Sequence, residues 1–156
     1  MDIRFALTVL VHIALIGIGG WLVAIDARTH RLPNRIVLPT LASLIVLGAV
    51  DALVAGQGGA FLRALLGMLI LGGFYAVLRA ISRAGMGGGD VKLAAVIGLV
   101  LGWHGWESLA IGAASAFVLG ALYALALILL RRADRATRIA FGPWMIAGAL
   151  LGVVLG

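Results

Sequence analysis

The amino-acid sequence predicts an all-α, polytopic integral membrane protein of about six transmembrane helices, and three observations lead there. First, 63% of the 156 residues are hydrophobic and only 12% are charged, where a soluble domain carries roughly 25% charged residues; mean hydropathy is +1.19. Too few polar side chains remain to coat a surface that faces water. Second, the apolar residues gather into six stretches: Phe5–Ile25, Ile36–Val54, Ala60–Leu78, Leu93–Trp103, Ser108–Leu130 and Ile139–Leu155. Third, there are 23 glycines, a residue commoner in membrane helices than in soluble ones. No linker and no compelling internal repeat divides the chain, so a single membrane-embedded domain over residues 1–156 is expected.

Each stretch can be justified in turn. Phe5–Ile25 has the length that a helix needs to cross a bilayer core of about 30 Å at 1.5 Å per residue. It is too long for the core of a signal peptide, and no small-residue cleavage site follows it. Its run Gly17-Ile18-Gly19-Gly20 suits close helix packing, and His12 reads as a hydrogen-bonded packing residue. Ahead of the second stretch, Pro33 stiffens the start and Asn34 is placed to cap the helix; Pro39 falls in its first turns, where a kink is expected. Asp51 lies near the outer end, within reach of water. Gly56, Gln57, Gly58 and Gly59 then form an outer turn before the third stretch. Trp103, His104 and Trp106 form another, with the indoles suited to the headgroup layer.

The fourth stretch is short. Leu93–Trp103 covers only about 16 Å as a helix, roughly half of the hydrocarbon thickness. The preceding segment, Gly85-Met86-Gly87-Gly88-Gly89-Asp90-Val91-Lys92, must therefore extend the structure into the membrane. Non-helical backbone at depth is tolerated only against protein or a wet cavity. Asp90 is thus expected at the membrane boundary, shielded from lipid, with glycines that let other backbone or a substrate strand come close.

The net charge of +6 sets the topology. Arg28, Arg31 and Arg35 follow the first stretch, Arg79, Arg83 and Lys92 surround the gap after the third, and Arg131, Arg132, Arg135 and Arg138 follow the fifth. Only Arg4 and Arg63 remain for the other side. By the positive-inside rule these three gaps are cytoplasmic and both termini are outside. A nucleic-acid surface would need one contiguous basic face, so no nucleic acid is expected as a partner; membrane lipid is. Cysteine is absent, which excludes disulfides, thiolate metal sites and a cysteine nucleophile. His12, His30 and His104 have no ligand spacing, so neither a metal nor a cofactor is called for.

The chain holds six acids: Asp2, Asp26, Asp51, Asp90, Glu107 and Asp134. In this topology Asp2, Asp51 and Glu107 belong to the outer side, and Asp134 reads as a solvated acid among loop arginines. Asp26 and Asp90 differ, because each lies where a membrane helix meets the same cytoplasmic side. Ionisable groups at membrane depth are costly and point to function. Two carboxyl groups brought together cannot both ionise easily and share a proton; the ionised one can activate water while the protonated one polarises a peptide carbonyl. Position alone leaves three readings open: ordinary helix-boundary acids, a non-enzymatic ion-coupled carrier or scaffold, and an aspartic protease.

The surrounding residues favour the last. Asp26-Ala27-Arg28-Thr29-His30-Arg31-Leu32-Pro33-Asn34-Arg35 and the later Gly87-Gly88-Gly89-Asp90-Val91-Lys92-Leu93 resemble the paired signatures of the type IV prepilin peptidases. The second contains a Gly-x-Gly-Asp core, and Phe141-Gly142-Pro143-Trp144 in the final stretch is similar to a further segment of that family. The resemblance implies a membrane aspartic endopeptidase, with Asp26 and Asp90 as the catalytic pair. Its substrates would be type IV pilin-like precursors, cut at the end of a short basic leader at the cytoplasmic face of the bacterial inner membrane. Many relatives also carry an N-terminal cytoplasmic region with paired Cys-x-x-Cys motifs and methylate the new N terminus. With no cysteine and about 25 residues before the first motif, this chain resembles the members that act as peptidases only.

Overall fold

The computed structural model describes residues 3–29, 32–82, 87–131 and 140–156, with side chains from Phe5 onward. They form six helices: α1 (Ile3–Thr29), α2 (Asn34–Ala55), α3 (Gly58–Ile81), α4 (Gly88–His104), α5 (Trp106–Leu129) and α6 (Gly142–Leu155). There is no strand among the described residues, and each helix corresponds to one apolar stretch of the sequence. Four of them, α1, α2, α3 and α5, are long and apolar enough to cross a membrane. The others are shorter: α4 has 17 residues and α6 has 14, about 25 and 21 Å of helix. Leu53, Val54, Ile81 and Leu129 are all more than 70% exposed. Outward-facing apolar side chains on this scale suit lipid rather than water. The protein is an all-α polytopic membrane protein, as its composition predicts.

Glycine holds the bundle together, at places the sequence did not single out. The α3–α4 pair is closed by Gly67 against Gly98: a Cβ on either would land on the other's carbonyl oxygen. Gly102 adds a third contact, where a Cβ would lie 2.7 Å from the Arg63 carbonyl oxygen. The α5–α6 pair is closed in the same way by Gly112, Gly148 and Gly152. Backbones that approach this closely gain dispersion contacts that lipid cannot match, since membrane helices lack a water-driven force to associate. The expected packing run on α1 does not serve this purpose. Gly17 and Gly20 have no atom within 4 Å of a built Cβ, and Gly19 only meets Ile146 at 3.4 Å.

Helix α4 is the centre of the bundle, packed against α2, α3, α5 and α6. Ala94 and Leu101 are fully buried, and Leu93 is 3% exposed; a helix enclosed by others can be apolar on every side. Its start differs from expectation. Gly88, Gly89 and Asp90 form its first turn, so part of the glycine-rich segment is helical and extends the stretch that began at Leu93. The Asp90 carboxylate makes this possible by accepting the Gly87 amide at 3.0 Å, which satisfies a donor that the helix leaves orphaned at its end.

Asn34 also departs from its expected role. Pro33 occupies the cap position of α2, with φ −72° and ψ 124° and no side-chain cap bond, and Asn34 is the first residue inside the helix. Pro39 lies within α2, which runs on unbroken to Ala55.

The end of the bundle formed by the α2–α3 and α4–α5 turns has its own polar clasp. Arg63 donates through Nε to the Gly102 carbonyl at 2.8 Å and through Nη2 to that of Trp103 at 2.9 Å. These carbonyls close α4, where a cation offsets both the unpaired acceptors and the helix dipole. Nearby, the Nε2 atoms of His12 and His104 meet at 3.1 Å, and each ring contacts a carbonyl one turn back through Nδ1. His12 is therefore a hydrogen-bonded residue between helices, in keeping with its sequence reading.

Candidate active site

At the opposite end, α1, α3 and α5 finish while α2, α4 and α6 begin, which gathers three helix N-termini on one side. Each start presents unpaired backbone amides and a partial positive charge that favour carboxylates. Asp26 lies one turn before the end of α1 and is only 4% exposed. Its Oδ2 accepts a hydrogen bond of 3.1 Å from the backbone amide of Gly142, the first residue of α6. Asp90 is the third residue of α4 and is bonded to its own helix start through Gly87. The two carboxyl groups are close enough that Asp26 acts electrostatically on Asp90. Thus Asp26 and Asp90, separated by two helices in sequence, share one end of the bundle and one local field.

Several neighbours complete the site. Arg79, in the last turn of α3, also acts electrostatically on Asp90. Its guanidinium lies over Gly88, where a Cβ would collide with it. Leu32 covers Gly89, with a built Cβ only 2.6 Å from the Leu32 Cβ and 3.2 Å from its backbone nitrogen. The glycines before Asp90 were expected to leave space for another backbone or a substrate strand. Gly88 and Gly89 instead accommodate the protein's own Arg79 and the connection between α1 and α2.

An aromatic layer lies alongside. Tyr75 on α3 is 1% exposed and within electrostatic reach of Asp90. It packs with Phe117 at 5.7 Å and Phe141 at 6.1 Å between ring centroids, which are ordinary distances for aromatic pairs. On its other side the site adjoins an apolar cleft of about 410 Å³, lined among others by Leu22, Val37, Leu93, Val96 and Pro143. Leu22 is one turn before Asp26, Leu93 three residues after Asp90, and Pro143 next to Gly142. The cleft therefore begins about one helical turn from the acids, neither of which lines it, and extends between α1, α2, α4 and α6.

The other sequence candidates fall elsewhere. Asp51 lines a second cleft together with His12 and His104, at the far end, and Glu107 is in the first turn of α5 at that same end. Lys92 bonds Asn34 at 2.7 Å. Asp134 and His30 lie outside the described residues. No group of three or more His, Asp or Glu that could hold a metal comes together among the described residues. Sequence reasoning passed over Arg79, Tyr75 and the Gly142 amide. The last had a signal: Gly142-Pro143 sits where a helix begins, and proline is favoured at that point.

The fold and the site together define a helical membrane bundle with two carboxyl groups near helix ends on one side, within electrostatic reach of each other. Comparison with known sequences is more specific: the chain belongs to the type IV leader peptidase family, whose profile matches residues 13–156. It is 35% identical over 159 residues to the prepilin leader peptidase/N-methyltransferase of Bacillus subtilis, a match covering 99% of this chain and 60% of that protein. It is 34% identical to the Dickeya chrysanthemi protein of the same name, covering 89% of this chain and 48% of the other. For that of Pseudomonas aeruginosa the identity is 31%, with 85% and 44% covered. The chain thus spans about half the length of these relatives. No solved structure matches.

Proposed function

We propose that the protein is a membrane aspartic endopeptidase that removes the basic leader from type IV pilin-like precursors. Cleavage takes place at the cytoplasmic boundary of the bacterial inner membrane. The observation that carries this reading is that Asp26 and Asp90 lie near helix ends on one side of the bundle, each bonded to the amide at a helix start and within electrostatic reach of the other. Family membership and the names of the relatives support it.

The chemistry follows from two carboxyl groups that hold one proton between them. The ionised carboxylate takes a proton from water as the water oxygen attacks the scissile carbonyl carbon. The protonated carboxyl donates to the carbonyl oxygen, and a neutral gem-diol forms. The carbon–nitrogen bond then breaks as the amine receives a proton, leaving a new carboxyl group and a free N terminus, with one proton again on the pair. This general acid–base route uses neither a metal nor a covalent intermediate.

A site at the boundary suits a bond where a basic, water-exposed leader meets an apolar helix. The scissile backbone must be extended for attack, since a helix engages its carbonyls in hydrogen bonds. The apolar cleft beside the acids offers a wall for the first turns of the substrate helix beyond the cut. The basic loops on the acids' side support a cytoplasmic orientation. An ion-coupled carrier has less support, because such sites lie near the bilayer midplane between repeated halves, whereas both acids here are at helix ends. The test is to incubate the purified protein with pilin-like precursors from the same genome and weigh the products by mass spectrometry. A single cut at the junction of leader and helix is expected; intact precursors throughout would defeat the reading.

A further inference from the structure

The contact between Asp26 and Gly142 is tighter than one hydrogen bond. The α6 amide donates to Oδ2 at 3.1 Å, and the space where a Gly142 side chain would begin is filled by the same carboxyl group. A built Cβ lies 2.5 Å from Asp26 Oδ2 and 3.2 Å from its Cγ. Two helices far apart in sequence therefore meet at this point, and among the described residues α6 is the helix whose backbone packs against α1. Asp26 cannot keep its place if this residue carries a side chain. It also loses a charge-assisted bond if the amide is removed.

We infer that Gly142 is a positioning residue for Asp26: its amide and its missing side chain together hold the carboxyl group at the start of α6, within electrostatic reach of Asp90. The inference rests on the reading of Asp26 as a catalytic acid and extends it to the α6 start. It gives the Phe141-Gly142-Pro143 segment a part in the reaction without direct contact with the reacting atoms. Pro143 has no amide hydrogen to offer, so the donor at this helix start is the glycine before it.

Two variants separate space from hydrogen bonding. Gly142→Ala adds the colliding carbon. Replacement of Gly142 by glycolic acid through nonsense suppression removes the amide hydrogen donor and adds no side chain, while weakening the Phe141 carbonyl that accepts from Trp144 and Met145. Cleavage of a pilin-like precursor should show kcat lowered about 10- to 100-fold in the alanine variant, as for a catalytic group displaced by about 1 Å. KM should stay within about two-fold, and the rising limb of the pH–rate profile should move to higher pH, since a carboxyl group pushed away from the amide loses the bond that favours its ionised form. The glycolic acid variant should show the same pH displacement with a smaller loss of kcat. Gly148→Ala, on the same helix but against α5, is the packing control; it should lower thermal stability while the folded fraction keeps the wild-type pH profile. An unchanged kcat and pH profile in the glycolic acid variant would overturn the inference, even if the alanine variant fails to fold. Asp26→Asn distinguishes the two levels: wild-type cleavage there would defeat the catalytic reading itself. An inactive Asp26→Asn beside fully active Gly142 variants would defeat the positioning role alone.

Discussion

Lys92 on α4 reaches across to α2 and donates from Nζ to Asn34 Oδ1 at 2.7 Å. The bond lies two residues beyond Asp90 and joins the second turn of α4 to the first residue of α2, two helices that begin on the same side. Asn34 was expected to cap its helix; it instead accepts from Lys92, which ties α2 to α4 next to the site.

Breaking this bond should loosen the site modestly. Lys92→Met and Asn34→Ala should each cost about 1 kcal/mol of stability, the net worth of an ordinary hydrogen bond, since water screens the ammonium at this exposed place. The double variant should cost little more than either alone. A double-mutant cycle on thermal unfolding in detergent checks this; full additivity would show that the two residues do not act together.

Helix contacts through glycine give a second prediction. Gly98→Ala would drive a Cβ into the Gly67 carbonyl group, and such overpacking costs about 1–3 kcal/mol. The variant should melt several degrees lower in detergent, on the order of 5 °C. Gly17→Ala and Gly20→Ala face open space and should melt within about 1 °C of the wild type. A reversed order would mean that the helices pair differently.

This contrast shows what could be read from the residues and what could not. Hydropathy delimits all six helices because burial in lipid acts on the average of a segment. Which glycines sit at contacts depends on how each helix is rotated about its axis. In α1 the run Gly17-Ile18-Gly19-Gly20 drew attention by its density, yet Gly67 and Gly98 make the close contact as isolated glycines on separate helices. The start of α4 was missed for a related reason. Glycines are poor helix formers, but a carboxylate three residues on supplied the bond that let Gly88 and Gly89 join the helix.

The acids were legible in part. Asp26 and Asp90 stood out because topology placed them on one side, and the structure brings them into one electrostatic neighbourhood. Their supports came from helices that no local spacing connects to them: Arg79 at the end of α3, Tyr75 within it, and Gly142 at the start of α6. A motif can mark a residue, but only three-dimensional packing shows which backbone amide reaches it.

Orientation is tested separately. Reporter fusions in the loops after α1, α3 and α5 should read cytoplasmic, and those near Gln57 and Gly105 external. The expectation rests on ten of the twelve Lys and Arg lying on the acids' side. Cytoplasmic signals at Gln57 would invert the topology and place the acids at the outer face.

Substrate choice should depend on the residue before the cut. Arg79 and Leu32 already occupy the space over Gly88 and Gly89, so little room is left beside Asp90 for a bulky side chain. A glycine at the end of the leader should therefore be needed, and its replacement by leucine should lower kcat/KM at least about 100-fold, the loss expected when a reacting bond is misplaced. Exchange of the far end of the substrate helix for an unrelated apolar segment should change it less than about three-fold, being remote from the acids. Unimpaired cleavage of the leucine precursor would contradict a confined boundary site.

The central claim is that Asp26 and Asp90 act as one catalytic pair, and single substitution of each tests it most directly. Asp26→Asn and Asp90→Asn remove one ionisable oxygen and change little in size. Purified in detergent, both should keep the helical content of the wild type, while cleavage of a pilin-like precursor falls at least about 1,000-fold, within the range for loss of a general acid or base. Asp134→Asn, measured alongside, should keep most of the activity. Cleavage at or near the wild-type rate by either Asp26→Asn or Asp90→Asn would contradict the account.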